Sequence, residues 1–442
     1  MKLFSVLGCA CLVLGLFTGF AGAQVETLAQ REARMAWWRE ARFGLFIHYG
    51  PVALTGKEIS WSRANSNPKC PNKGPTPVEE YDNLYKQFNP VKFDAAEWAA
   101  ITKAAGMKYV VLTVKHCDGF LLWDSKVDAY NIMATPFKRD LSAELASSLR
   151  KEGLRVGWYF SPMDWRDPDF RTERNAAFVK RMQGELRELL SNYGTIDLLW
   201  FDTDGHSAEY DAPATYKLVK SLQPSIIIDN RLEMGTMAAY RKQEIIPPTD
   251  YYTPEQRIGG YDDQRPWETC MTLGTQWSWK PGDKIKSVGE VISILTRCVG
   301  GDGNLLLDVG PMPDGRIEPR QVDVLKSVGA WLEKYGESIY GTRGGPYKPG
   351  PWGSSTRKGN TVYLHITKWS GASVLLPPLG KKIVRHSLLT GGSADVRQTG
   401  DGLMVRIAEK DRSPTNTLIK LELDGPAMEI PAIASTPEPV KK

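Results

Sequence analysis

The stretch DLLWFDTDGH, residues 197–206, runs an apolar segment into two carboxylates one residue apart, Asp202 and Asp204. Two glutamates lie further on in irregular segments, Glu255 in TDYYTPEQR and Glu268 in WETCMTLG. Two carboxyl groups roughly 5 Å apart can cleave a glycosidic bond with retention: one attacks the anomeric carbon, the other protonates the leaving oxygen. Asp202, at the end of a buried strand, suits the nucleophile. Glu255 or Glu268 suits the acid, whose proton a low-polarity environment would help to retain. Trp61, Trp123, Tyr159 and Trp200 are candidate walls for a sugar, on whose faces flat rings stack. Asp204 precedes Gly205, where the chain is expected to turn, so it is assigned to the loop as a cap or rim contact.

Composition removes other chemistries. The 56 basic and 51 acidic residues are interspersed and leave a net charge of +5, with no basic tract, so no nucleic-acid partner is expected. Residues 1–23, a lysine followed by an apolar run ending in Ala21-Gly22-Ala23, have the pattern of a secretory signal peptide. This implies a secreted or periplasmic protein with no membrane association after cleavage. Beyond residue 23 the cysteines are Cys70, Cys117, Cys270 and Cys298, and the chain has five histidines. Their spacing matches no zinc pattern, so neither a metal nor a cofactor is expected.

These residues need elements to hold them. Short apolar runs alternate with helix-period segments from residue 43 to about 335. FGLFIHYG (43–50), KYVVLTVKHCDGF (108–120), RVGWYFSPMDW (155–165), DLLWFD and SIIIDNR (225–231) are the first five expected strands. TDYYTPEQR (249–257), WETCMTLG (267–274) and NLLLDVGP (304–311) are the sixth to eighth. Helices are expected between them, one over 93–106 with Asp94 as its N-cap. Strands apolar on both faces, each followed by a helix, predict a parallel sheet, and eight of them predict a (β/α)8 barrel. No G-x-G-x-x-G follows the first strand, which disfavours a dinucleotide fold. The expected catalytic unit is 24–342, followed by a Gly/Pro-rich linker (343–355), a small β-sandwich (356–427) and a disordered tail (428–442).

Barrel enzymes place their chemistry at the C-terminal ends of the strands. By that rule His48, His116, Tyr159, Asp202, Arg231, Glu255, Glu268 and Asp308 converge on one rim.

At these positions the chain resembles the α-L-fucosidases of glycoside hydrolase family 29. The resemblance spans roughly residues 35–340 and rests on WWREARFGLFIHYGP, AAGMKYVVLTVKHCDGF, VGWYFSPMDW, DLLWFD, RPWETCMTLGTQWSW and GGDGNLLLDVGPMPDGRI, in that order. It implies a retaining exo-hydrolase of terminal α-L-fucose on oligosaccharides or glycoconjugates, with a barrel, a β-sandwich and no catalytic metal. The family's nucleophile falls on Asp202, and sugar-binding positions fall on His48, Trp61, His116, Tyr159, Trp200 and Arg231. YYTPEQ resembles the acid-bearing segment of several members, which selects Glu255. PWETC resembles a downstream segment, which keeps Glu268 as the alternative.

Two departures stand out. Cys117 replaces the second histidine of a common Lys-His-His run, and Ser60 stands where many members carry a glutamate before the loop tryptophan. A thiol is a weak donor, so a different terminal sugar such as α-L-galactose is an alternative substrate. A catalytically inactive carbohydrate-binding barrel is the alternative from another class. The insertion 63–90, which comes after Trp61, is expected to lie over the rim.

Overall fold

The structure, a computed structural model, describes residues 26–64, 73–204, 207–233, 245 and 248–435. The expected signal peptide, Cys70 and residues 436–442 lie outside the described residues. Among the described residues no helix is long and apolar enough to cross a membrane.

Helix α1 (Leu28–Ala41) opens the fold, closed at its start by a capping box between Thr27 and Gln30. Seven parallel strands come after it: β1 (Phe43–Ile47), β2 (Tyr109–Lys115), β3 (Arg155–Phe160), β4 (Leu198–Phe201), β5 (Ile227–Ile228), β6 (Glu268–Thr272) and β7 (Asn304–Val309). Their order in the sheet is β5-β4-β3-β2-β1-β7-β6. The expected sixth strand is not a regular strand. Residues 250–256 instead bridge β5 and β6 at isolated points, Asp229 to Tyr251, Tyr252 to Trp267 and Glu255 to Cys270. Two features prevent a continuous ladder: Pro254 has no N–H to donate, and Gln256 sits at φ +51°. The segment still spans the gap between the two edge strands, so eight segments surround one interior.

Side-chain alternation divides this sheet into two cores. Phe46, Tyr109, Val111, Tyr159, Leu198, Trp200, Cys270 and Leu306 pack together on the inner face. Leu45, Leu112, Trp158, Leu199, Phe201 and Leu307 pack beneath the helices. Those helices include α3 (Ala95–Ala104), α4 (Leu141–Lys151), α5 (Asn175–Ser191), α6 (Ala212–Leu222), α7 (Val288–Gly300) and α8 (Pro319–Tyr335); the short α2 (Val78–Asp82) lies in the 63–90 insertion. Asp94 caps α3 as expected, accepting from the Ala96 and Glu97 amides, an arrangement worth about 1 kcal/mol.

The remaining strands form two antiparallel sheets around one apolar core containing Leu364, Leu376, Val405 and Ile419. These strands are β8 (Arg343–Gly344), β9 (Gly353–Lys358), β10 (Thr361–Ile366), β11 (Ser373–Leu376), β12 (Ile383–Leu388), β13 (Ala394–Thr399), β14 (Gly402–Ile407) and β15 (Thr417–Leu423). One sheet has the order β12-β15-β10-β9-β8 and the other β11-β14-β13. Residues 343–355, expected as a linker, contribute β8 (Arg343–Gly344) and the start of β9 (Gly353–Lys358). The break with the barrel is correspondingly small: Arg343 and Arg42 both bond the buried Asp302 carboxylate, and Ser354 Oγ donates to the Thr296 carbonyl of α7. Residues 428–435, expected as part of a disordered tail, pack onto the sandwich instead. Ile430 is buried and Ile433 bridges Tyr347, because apolar side chains in EIPAI fill the sandwich edge.

Candidate active site

Inner-face parity carries from each strand into the residue or two beyond it. Phe46 faces inward, so His48 does; Trp200 faces inward, so Asp202 does. In β2 the register slips between Thr113 and Lys115. Such an irregularity re-aims the side chains beyond it. Lys115 pairs with outward-facing Phe160 and its ammonium is buried between Glu185 at 2.8 Å and Asp164 at 3.1 Å. Burial pushes the Glu185 carboxyl up to about 7. His116, one residue on, is thereby delivered to the interior.

A cavity of about 300 Å³ opens there, lined by His48, Trp61, His116, Tyr159, Trp200, Asp202, Arg231 and Glu255 among others. Every expected binding residue, with Asp202 and Glu255, meets in this one space. Asp202 accepts from the Tyr159 hydroxyl on Oδ2 at 2.7 Å and from Arg231 Nη1 on Oδ1 at 2.7 Å. The other terminal nitrogen of Arg231 donates to Glu255 Oε2 at 2.9 Å. One guanidinium therefore joins the two carboxylates, while its Nε is anchored on Thr253 Oγ1. The cation lies 4.3 Å over the Trp200 ring, which stacks on Tyr159, which stacks in turn on His116. Trp61 is 45% exposed and meets Trp165 edge-on at the mouth.

His48 Nδ1 lies 2.6 Å from Asp308 Oδ1. Burial opposes charge on both partners: it lowers the imidazole to about 4 and raises the carboxyl well above its ordinary range. The two groups share one hydrogen across this short contact. Burial likewise lowers His116 to about 4.

Glu268 does not line this cavity. It is the first residue of β6, level with Asn304 at the start of β7, so it lies inside the barrel at the opposite end from Asp202. Its carboxylate accepts from Tyr109 Oη and, at 3.2 Å, from Trp38 Nε1. Burial raises it to about 7. The unfolded chain therefore releases this proton near pH 4.5, and the folded chain only near 7. Across that window the native state binds more protons, so this residue makes stability fall as pH rises, by on the order of 3 kcal/mol in all. Glu268→Gln should flatten that fall in urea titrations between pH 4.5 and 7. An unchanged pH slope would show that the carboxyl is not held protonated.

Trp123 is another correction. It is fully buried, and its indole N–H donates to Glu188, away from the cavity. Asp204 lines the rim, paired with Arg171 and bonded by Tyr210 Oη at 3.3 Å, which matches its assignment to the loop. Sequence reasoning did not single out Trp277 or Phe46 as wall residues. The Trp277 ring lies 4.7 Å from His48. Its amide donates to Glu58, so the glutamate near the loop tryptophan braces a neighbouring loop. Cys117 lines the wall with its thiol 3.3 Å from Ser161 Oγ, and burial holds that thiol well above its ordinary range. Cys117, Cys270 and Cys298 are all unpaired and buried.

Comparison with known proteins points to one family. The alpha-L-fucosidase family profile matches residues 21–337. Human plasma alpha-L-fucosidase is 28% identical, over 92% of this chain and 88% of its own, and human tissue alpha-L-fucosidase is 30% identical over 85% of each. Alpha-L-fucosidase isoenzyme 1 from Paenibacillus thiaminolyticus superposes with a TM-score of 0.78 at 34% identity, over 89% of this chain and 99% of that one. A family 29 alpha-L-fucosidase from Bacteroides thetaiotaomicron, trapped as a covalent intermediate with 2-fluoro-fucosyl fluoride, superposes with a TM-score of 0.76 at 27% identity, over 89% and 96%. With a catalytic barrel whose rim carries the paired carboxylates and a profile match across most of its length, this chain belongs to the α-L-fucosidases of glycoside hydrolase family 29.

Proposed function

We propose that this enzyme removes terminal α-L-fucose from oligosaccharides or glycoconjugates by double displacement, as a secreted or periplasmic protein whose residues 1–23 are cleaved. The catalytic unit is 24–342, and the β domain that follows it, from β8 at Arg343 to Ile433, braces it. Asp202 is the nucleophile and Glu255 the acid/base. His48, Trp61, His116, Tyr159, Trp200 and Arg231 bind the sugar, and no metal or cofactor takes part.

The observation that carries this reading is the Arg231 guanidinium, bonded to Asp202 through one terminal nitrogen and to Glu255 through the other. One bridging guanidinium keeps the two carboxylates near each other, which supports a retaining reading, whose paired acids stand roughly 5 Å apart. In the first step Asp202 Oδ attacks the anomeric carbon, the glycosidic C–O bond breaks, and Glu255 gives its proton to the departing oxygen. In the second, Glu255 takes a proton from water, whose oxygen displaces Asp202 and restores the original configuration. Esterification removes the negative charge of Asp202 and leaves the Arg231 cation to Glu255 alone, the charge arrangement that the second step uses. Tyr159 Oη keeps Asp202 aimed throughout.

Fucose over α-L-galactose is favoured by the apolar share of the wall, where Phe46, Met163 and Cys270 offer a hydroxymethyl group no strong partner. Such a wall discriminates only moderately, by about 10- to 100-fold. An aryl α-L-fucoside should therefore be hydrolysed faster than the matching α-L-galactoside by about that factor, and NMR of fresh reaction should show α-L-fucose as the first anomer. Initial release of the β anomer, or turnover of the galactoside alone, contradicts the proposal.

A further inference from the structure

We propose that Ser60 is a positioning residue that locks the His116 ring with its hydrogen on Nε2, so that the cavity offers the sugar an N–H donor at this point. The assignment deepens the fucosidase reading and rests on it for its consequence, although the geometry stands by itself.

Ser60 is fully buried and lies at φ +53°, a left-handed conformation uncommon for a residue with a side chain. It is held there by contacts on every polar atom. Its amide donates to Tyr81 Oη at 2.8 Å, and its carbonyl accepts from the Arg63 amide at 2.9 Å. Its hydroxyl oxygen accepts from the Asp118 amide at 2.9 Å and lies 2.5 Å from His116 Nδ1. Tyr81 in turn donates to Asp118 Oδ2 at 2.6 Å, which closes the network. Tyr81 belongs to the 63–90 insertion, so one effect of that insertion is to secure the Ser60 backbone.

Hydrogen counting within this network assigns the tautomer. A serine hydroxyl has one hydrogen, and Ser60 has no access to water. The Asp118 amide cannot receive that hydrogen, because it donates its own. Nδ1 of His116 is the acceptor within reach, and accepting there leaves the neutral ring its hydrogen on Nε2. The reverse arrangement, Nδ1–H donating to Oγ, would strand a buried hydroxyl hydrogen. Burial keeps the ring neutral under ordinary conditions. Stacking on Tyr159 at 5.3 Å and an interplanar angle of 6° fixes the ring plane, and Tyr159 is bonded to Asp202. The donor is thereby held in register with the proposed nucleophile.

The test is ¹⁵N NMR of histidine-labelled protein, with the His116 signals assigned by their loss in His116→Gln. Five histidines in the chain keep the spectrum tractable. Wild type should show a bare Nδ1 and a protonated Nε2 at His116. Ser60→Gly removes the hydroxyl while suiting the positive φ, so the loop should keep its path. In this variant the ring should become a mixture of tautomers, and kcat/KM on an aryl α-L-fucoside should fall about tenfold, mainly through KM. A wild-type ring with hydrogen on Nδ1 overturns the proposal. So does a Ser60→Gly protein with unchanged His116 signals, whatever its activity. A wild type inactive on fucosides would instead contradict the functional reading, and the NMR result would be read separately.

Discussion

Asp202→Gly should lower kcat on an aryl α-L-fucoside by about 10⁴-fold or more, equivalent to about 5.5 kcal/mol of transition-state stabilisation. The loss should be in kcat, because Arg231, Tyr159 and the aromatic stack that define the cavity stay in place. Added azide should restore turnover. The glycine leaves room on the face opposite the leaving group, and a single displacement there gives β-L-fucosyl azide, the inverted product. Asp204→Asn is the internal control. Asp204 is engaged with Arg171 and Tyr210 at the rim, so its variant should remain within a few-fold of wild type. Equal losses at both positions would mean that strand-end parity selects the wrong acid.

Glu255→Ala should produce a different pattern, divided by leaving group. Substrates whose leaving group needs a proton should slow by about 10²–10⁴-fold. Fucosyl fluoride or a dinitrophenyl fucoside needs little protonation, so its first step should survive and the glycosyl-enzyme should accumulate as a burst. Azide should then intercept that intermediate. Two successive displacements give α-L-fucosyl azide, the retained product, opposite to the product from Asp202→Gly. The geometry behind this is specific: Glu255 shares Arg231 with Asp202, whereas Glu268 is bonded to Tyr109 and Trp38 at the other end of the barrel. If Glu268→Ala gives the leaving-group split and the α-azide, Glu255 is not the acid/base.

The difference between those glutamates was partly legible in the sequence. WETCMTLG places Glu268 before the apolar residues of its strand and not after them, which puts it at the N-terminal end, where barrel strands carry structural residues. Parity alone could not reveal this, since Glu268 and Cys270 share the inner face. Asp202 and His48 were legible because each comes directly after a short apolar run, and an apolar run fixes both the direction and the end of a buried strand; Arg231 stands three residues past its run, 226–228. Segment 249–257 was harder. Its Tyr-Tyr-Thr pattern suits a strand, while Pro254 and the backbone turn at Gln256 reduce it to isolated bridges, and those bridges bring Glu255 to the rim. His116 depended on the register slip at the end of β2, which no residue pattern in KYVVLTVKHC announces. Trp123 misled because an aromatic after a strand suits a sugar wall as well as a core, and Glu188, which holds it, is 65 residues away in sequence. The Ser60 network was illegible for the same reason: it unites residues 60, 81, 116 and 118 through a loop whose path only tertiary structure defines.

The central claim is that Asp202 forms the covalent bond to the sugar, and one measurement addresses it most directly. Incubation with 2-deoxy-2-fluoro-α-L-fucosyl fluoride, followed by proteolysis and tandem mass spectrometry, locates the trapped ester. A single 2-fluorofucosyl adduct on Asp202 is expected, with none formed by Asp202→Gly. An adduct on Asp204, Glu255 or Glu268 would contradict the claim, as would full inactivation with Asp202 unlabelled.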